Sequence, residues 1–465
     1  MSLPILNADI ISEIIEKLRD NGDSLFHFLC VNKFFSEIAV SVLWENPFKI
    51  RNIKNSKLRY YSIIQTYIQS SNEEDLNEIN NLINGKIKFK NGGKPLFFQY
   101  GKYLKEFQLE EIKKAINSWY NNYKGTKKSA HAVEELIMKS ILRQCQRLDL
   151  LEWDICFENG DLLKILQYKI KDLKNLTIIC HEKCITNIFK FEYFEYFKNH
   201  SKNISNLTID NMVNLWPDKI TKEFISFIES QNDLNEFIFD NKGNNVVKDP
   251  ITNILELRAN NLTKVILIKV NFSNVSFDYL DKCINLEILG LRSNENLKFD
   301  DMDLYSNFKN LKKLDLSYND WSPKVINLII KKAGNGLFSL TIGEGDTEQA
   351  IINDNTLITL TKSCPNIKSL SISKISNEKI NMIFSYLKDF KLVTLKIFQT
   401  KAKGTVMNSE ILLNYIKNEE SLSMLGLGKN DTYWSYYNNK RRNFEELLKE
   451  HNIELVGYRP NVLKM

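Results

Sequence analysis

From residue 145 onward the chain repeats one arrangement, apolar-x-x-apolar-x-apolar, seen most plainly in Leu286-Glu-Ile-Leu289-Gly-Leu291 and Leu311-Lys-Lys-Leu314-Asp-Leu316. With the second apolar residue as marker, the copies sit at Leu148, Leu176, Leu207, Phe237, Val265, Leu289, Leu314, Leu340, Leu370, Leu395 and Leu425, spaced 24 to 31 residues apart. Around each marker the alternation has the period of two that belongs to a strand, so the marker and the residue two later share one face. Between markers the apolar residues fall at spacings of three and four, as in Phe224, Ile225, Phe227 and Ile228, or Val325, Leu328 and Ile329. That spacing predicts a helix. Each copy is therefore a strand followed by a helix. A length of 465 residues suggests about three domains, but a repeat array grows along one axis and needs no separate cores.

The period and the motif resemble the leucine-rich repeat. Asn294 and Asn319 stand five residues after their markers, where an asparagine satisfies backbone groups at the end of a strand. Ser363-Cys364-Pro365-Asn366-Ile367 resembles the cysteine-containing class of these repeats, and Cys283 and Cys364 both lie six residues before a marker. A common offset is what a small buried apolar position gives. The fold class this resemblance implies is α/β: a curved solenoid of about eleven strand-helix repeats over 145–428, with parallel strands on its concave face.

Residues 1–48 follow another pattern. Asp9 caps a predicted helix carrying Ile11, Ile14, Ile15 and Leu18 and ending at Asn21-Gly22. Asp23-Ser24 opens a second with Leu25, Phe28 and Leu29, and a third carries Val31, Phe35, Ile38 and Val42 before Trp44 and Pro47. Three short helices enclose only a small core and leave apolar surface for a partner. Leu3-Pro4, the helix from Ile10 to Leu18, Phe28-Leu29-Cys30-Val31-Asn32-Lys33 and Val42-Leu43-Trp44 resemble an F-box. The resemblance implies docking on a Skp-family adaptor, and through it on a cullin-RING ubiquitin ligase. Leu3, Pro4, Ile14, Leu18, Leu29, Val31 and Trp44 would make that contact or support it, some of them as the core of the three helices. Aligned on Ile10 and Ile14, the usual Leu-Pro falls instead at Leu6-Asn7.

Residues 49–144 read as a helical connecting segment, with helices over 60–68, 73–83, 109–120 and 132–142 and a turn at Gly92-Gly93-Lys94-Pro95. An alternative is that they fold as irregular early repeats. Residues 429–465, with Tyr433-Trp434-Ser-Tyr436-Tyr437 and an apolar stretch over 453–456, read as a terminal cap or tail.

The net charge of +6 is too small for a nucleic-acid surface, and no apolar run approaches the roughly 18 residues of a membrane span. Seven cysteines without a framework and no secretory signal predict a reduced protein of the cytoplasm, the nucleus or both. A structural zinc site needs four ligands, and no second Cys/His pair lies near enough in sequence to Cys180-His181-Glu-Lys-Cys184 to complete one, so no metal is expected. The five histidines form no His-Glu-x-x-His pair, there is no phosphate-binding glycine loop, and Gly343-Glu-Gly345 lacks the third glycine of a dinucleotide site. No catalytic residue and no cofactor are expected, and the protein reads as no enzyme.

The positions one before, one after and three after each marker face away from the helices. Most are polar, but Ile238, Ile266, Ile268 and Ile288 are not, and Arg292 lies beside them. The fifth repeat also fits a register marked at Ile266, which leaves two apolar side chains outward as well. This patch is the expected substrate-binding surface. The resemblance implies a non-catalytic receptor that brings a protein substrate, not identified by the sequence, to a separate conjugating enzyme. The alternative is a leucine-rich repeat interaction scaffold without ubiquitin transfer, which Leu6-Asn7 favours.

Overall fold

The computed structural model describes residues 8–19, 21–49, 56–85, 87, 96–123, 127–155, 160–180, 192–211, 218–242, 249–273, 275–298, 302, 307–343, 352–375, 377–399, 409–428, 446 and 448–458. The chain forms two units, one of residues 1–207 and 230–233, the other of 208–229 and 234–465.

In the first unit the helices α1 (Ala8–Lys17), α2 (Gly22–Phe28) and α3 (Lys33–Glu45) close around Ile11, Ile15, Leu25, Val42 and Leu43. Asn21 rather than Asp23 caps α2, its side chain accepting from Ser24 N, and Asn32 caps α3 by accepting from Phe35 N. Helices α4 (Ser56–Gln69), α5 (Glu73–Leu82), α6 (Leu109–Tyr120) and α7 (Lys127–Gln144) fall where the apolar spacing places them.

The first unit also holds strands β1 (Glu106–Phe107), β2 (Leu150–Asp154) and β3 (Asn175–Cys180), parallel and in chain order. The division between the units falls within β4 (Asn206–Asn211). In the second unit β5 (Glu236–Asn241), β6 (Lys264–Ile268), β7 (Ile288–Arg292), β8 (Lys313–Ser317), β9 (Ser339–Gly343), β10 (Ser369–Ile375), β11 (Thr394–Gln399), β12 (Met424–Gly428) and β13 (Glu454–Tyr458) also pair in parallel and in chain order. Parallel neighbours need a crossover, and the returning helices supply it.

One hydrogen bond pattern fixes the register. Along most of the array the carbonyl two residues before a marker accepts two N–H groups of the next repeat: Glu287 O takes Lys312 N and Lys313 N at 2.8 and 3.0 Å, and Lys312 O takes Phe338 N and Ser339 N at 2.8 and 2.9 Å. Behind the strands, the residue three before the marker, the marker and the residue two after it form the core. Leu286, Leu289 and Leu291 are almost fully buried, as are Leu311, Leu314 and Leu316. The helix Pro323–Ala333 shows how a return segment is made: Ser322 caps it, Pro323 starts it, and Gly334, at φ 63°, ends it. Its Val325, Ile326, Ile329 and Ile330 are buried.

Two sequence expectations change. The first repeat is marked not by Leu148 but by Leu151, which pairs with Leu176, so the outward positions are Leu150, Glu152 and Asp154, and Asp149 lies before the strand. The sheet begins earlier as well, because Leu104-Lys-Glu-Phe107-Gln-Leu109 is a further copy, with Phe107 opposite Leu151. It also runs into 429–465, where Leu455 pairs with Leu425. The described residues thus carry thirteen strands where the sequence reading has about eleven repeats. In the fifth repeat Val265 pairs with Phe237 and Leu289, which settles the register on Val265.

Candidate functional site

On the three-helix bundle, packing separates core side chains from those left for a partner. Leu18, Leu29 and Trp44 pack against the bundle core. Trp44 also meets Tyr67 and Tyr100, with ring centroids 5.4 and 4.5 Å apart, and so ties α3 to the elements that follow. Ile14 and Val31 remain 45% and 57% exposed. Leu3 and Pro4, with Leu6-Asn7, lie outside the described residues. Ile10, Phe26 and Phe34 are exposed too. Ile10 and Ile14 stand one turn apart on α1, and Phe34 turns outward because Phe35, its neighbour, stacks on Phe28 at 5.6 Å. The sequence held this signal: of two adjacent aromatics on a helix, only one can enter the core.

The bundle is joined to β1 through the end of α3. The buried Glu45 carboxylate pairs with Arg19 at 2.9 Å and with Lys105 at 3.2 Å, and Lys105 N donates to Glu45 O at 3.0 Å. Asn46 Nδ2 donates to Glu106 Oε2 at 2.6 Å.

On the outer face of the sheet in the second unit, Ile238, Ile266 and Gly290 lie side by side on adjacent strands, and Asp240, Ile268 and Arg292 form the next row. The structure brings the predicted residues together but covers two of them. Ile266 is only 3% exposed and Ile268 only 8%, whereas Ile238 and Ile288 are half-buried. Neighbouring strands about 4.8 Å away on both sides hem in short outward side chains. Ile266 in addition leans over Gly290, its Cγ2 3.1 Å from where a β-carbon would sit there.

Arg292 Nε donates to Asp315 Oδ2 at 2.6 Å, and Asp315 Oδ1 accepts from Ser317 N at 2.9 Å and from Ser317 Oγ at 2.5 Å. Two other cations of this face are engaged, Lys264 with Glu236 at 3.0 Å, and Lys242 with Asp210 and, at 4.0 Å, Asp240, while Lys313, which pairs with Ile288 from the next strand, is exposed. Burial pushes the Asp240 carboxyl up, against the lowering effect of Lys242.

The strand ends are closed by asparagines. Asn294 accepts from Val270 N at 2.8 Å and donates to Leu267 O at 3.1 Å, and Asn319 accepts from Asn294 N at 2.8 Å and donates to Leu291 O at 2.7 Å. Asn211 and Asn241, four rather than five residues after their markers, continue the device with an Nδ2 to Oδ1 bond of 2.8 Å. The outer rows, the buried inner rows and these asparagines are the parts of a leucine-rich repeat. The fold is of that kind.

No protein-family model matches the chain, and no curated protein matches it. Among solved structures, it is similar to a crystal structure of a yeast Rad7 and Elc1 complex, at 17% identity over 69% of this chain and 75% of that chain, with a TM-score of 0.38. It is also similar to a Bacteroides fragilis protein at 12% identity over 80% of this chain and 86% of that one, with a TM-score of 0.30. Both likenesses are distant, and the functional reading rests on this chain's own residues.

Cys283 and Cys364 are buried, and so is Cys145, which lies six residues before Leu151 and so shares their offset. Burial pushes all three thiols up to about 12. Among the described residues no group of three His, Cys, Asp or Glu side chains is placed to hold a metal ion, and no helix is long and apolar enough to cross a membrane. Cys180 is buried at the end of β3, while His181 and Cys184 lie outside the described residues.

Proposed function

We propose that this chain is a non-catalytic substrate receptor of a cullin-RING ubiquitin ligase. Its three-helix bundle docks on a Skp-family adaptor, and the outer face of the repeats holds a protein substrate. The observation that carries this reading is the apolar surface of the bundle. Although Ile11, Ile15 and Leu25 already close a core, Ile10, Ile14, Phe26, Val31 and Phe34 are left in water within 25 residues of chain. Exposed apolar surface of that density on a small bundle is what a partner covers.

On the repeats the contact falls to Ile238, Ile288 and Arg292, with Ile266 and Ile268 as the packed floor beneath. Ubiquitin transfer then needs no chemistry from this chain, because holding a substrate lysine near a loaded conjugating enzyme raises its effective concentration.

Co-purification of the full chain with a Skp-family adaptor tests the first half. Ile14→Asp with Val31→Asp should abolish binding and leave the thermal unfolding midpoint within about 2 °C, since both side chains are already solvated. Failure of the intact, folded chain to bind any such adaptor would leave a repeat scaffold without ubiquitin transfer as the reading.

A further inference from the structure

Along the outer face of β7 the side chains run Ile288, Gly290, Arg292, and Ile266 from β6 covers the glycine. The strip is therefore apolar for most of its length and cationic at its end, about 13 Å away at 3.3 Å per residue. Arg292 differs from the lysines of this face in how it is held. Its side chain is 16% exposed, and among the described residues its one ion-pair partner is Asp315, reached through Nε, with Tyr318 electrostatically close. Ser317 locks that carboxylate in turn, so the guanidinium is oriented before any ligand arrives, and both Nη groups are left without a partner among the described residues.

A planar fork with a fixed Nε side presents its Nη edge to a planar acceptor. Lys242 is committed to carboxylates, and Lys264 and Lys313 flank Ile288 at the opposite end, so the Arg292 end of the strip offers a single guanidinium. One guanidinium already paired on its far side suits a singly charged carboxylate. A phosphate dianion is ordinarily met by a cluster of cations.

We infer that the outer face of β7 recognises an extended acidic segment of a protein partner, with a Glu or Asp carboxylate on the Nη groups of Arg292 and an apolar side chain of the same segment against Ile288 and Ile238. This deepens the substrate-receptor reading and rests on it for the claim that the bound protein is a substrate. The recognition itself does not depend on the adaptor.

The test uses the full chain and immobilised nine-residue peptides in a Gly/Ser background, carrying Leu and, four residues away, Glu, Gln or phosphoserine in either chain direction. The expected result is binding of a Glu peptide at least about tenfold tighter than its Gln counterpart, the value of one charge-assisted contact. Arg292→Lys should lose most of that preference and Ile288→Asp most of the binding. Because Arg292→Gln alone strands Asp315 and can unfold the repeat, Arg292→Gln with Asp315→Asn serves as the neutral pair. Its unfolding midpoint is checked first, and it should bind Glu and Gln peptides alike. Equal binding of Glu and Gln peptides by the intact chain, no binding of any peptide, or a preference for phosphoserine over Glu would each overturn the inference. Adaptor binding measured on the same preparation separates the two readings: a Glu preference without adaptor binding removes the ligase and keeps the site, and the converse removes the site alone.

Discussion

Asparagine, 55 of the 465 residues, carries two distinct structural roles here. At Asn21, Asn32, Asn72 and Asn353 the side chain caps a helix by accepting an N–H three residues on. At Asn294 and Asn319 it is wholly buried and serves two neighbouring repeats at once, through backbone groups at and just beyond the strand ends. The two roles differ in energy because water replaces a lost cap and cannot replace a buried partner. Asn319→Ala strands Asn294 N and Leu291 O in the interior and should cost about 2–4 kcal/mol, whereas Asn32→Ala should cost about 1 kcal/mol. Urea unfolding of the two variants measures the difference. The Asn294 and Asn319 sites are legible from their register with the markers. Asn211 and Asn241 are not, because their strands run one residue longer before the chain turns and the offset shrinks from five to four.

Among the elements, α6 shows how an element is finished by a residue remote in sequence. Gln108 at its N-cap makes no side-chain cap bond, and Glu152 on β2 instead accepts Glu110 N at 2.8 Å. Burial pushes the Glu152 carboxyl up, beyond what that backbone bond recovers. A carboxyl raised in the folded state contributes stability that is complete below its unfolded pKa and lost as pH rises through the folded one. Glu152→Gln keeps an acceptor for Glu110 N without the charge. It should raise the urea midpoint at pH 7 and leave it unchanged at pH 3. The same region explains where sequence reading slipped by three residues. Cys145-x-x-Leu148-x-Leu150 and Leu148-x-x-Leu151-x-Trp153 both satisfy the motif, and only the pairing of Leu151 with Phe107 and Leu176 decides between them. The α4 to α7 helices needed no such arbiter, since each carries its own three and four spacing and its own ends.

For the molecule as a whole, binding surfaces were less legible than architecture. Period two names the residues that leave the helices, and Ile238, Ile266, Ile268, Ile288 and Arg292 do share one face. Their exposure depends on what stands on adjacent strands, and the absent side chain of Gly290 is what lets Ile266 fold down. On the bundle, Ile14 and Val31 are exposed, while Leu18, Leu29 and Trp44 pack against the core, a division that the sequence pattern does not make among the seven residues.

Three of the four thiols buried among the described residues, Cys145, Cys283 and Cys364, have a use that their packing does not suggest. Cys145 belongs to the first unit and Cys283 and Cys364 to the second, each at the same place in its own repeat. A thiol held at about 12 is inert at pH 8, so alkylation there waits for the surrounding repeat to open. The chain thus carries position-stamped clocks of its own breathing, with the exposed Cys30 as the zero-time mark. Pulsed alkylation in mild urea, read by peptide mass, should modify Cys30 at once and give Cys283 and Cys364 a shared rate different from that of Cys145. A single rate for all three would mean that the array yields as one cooperative body.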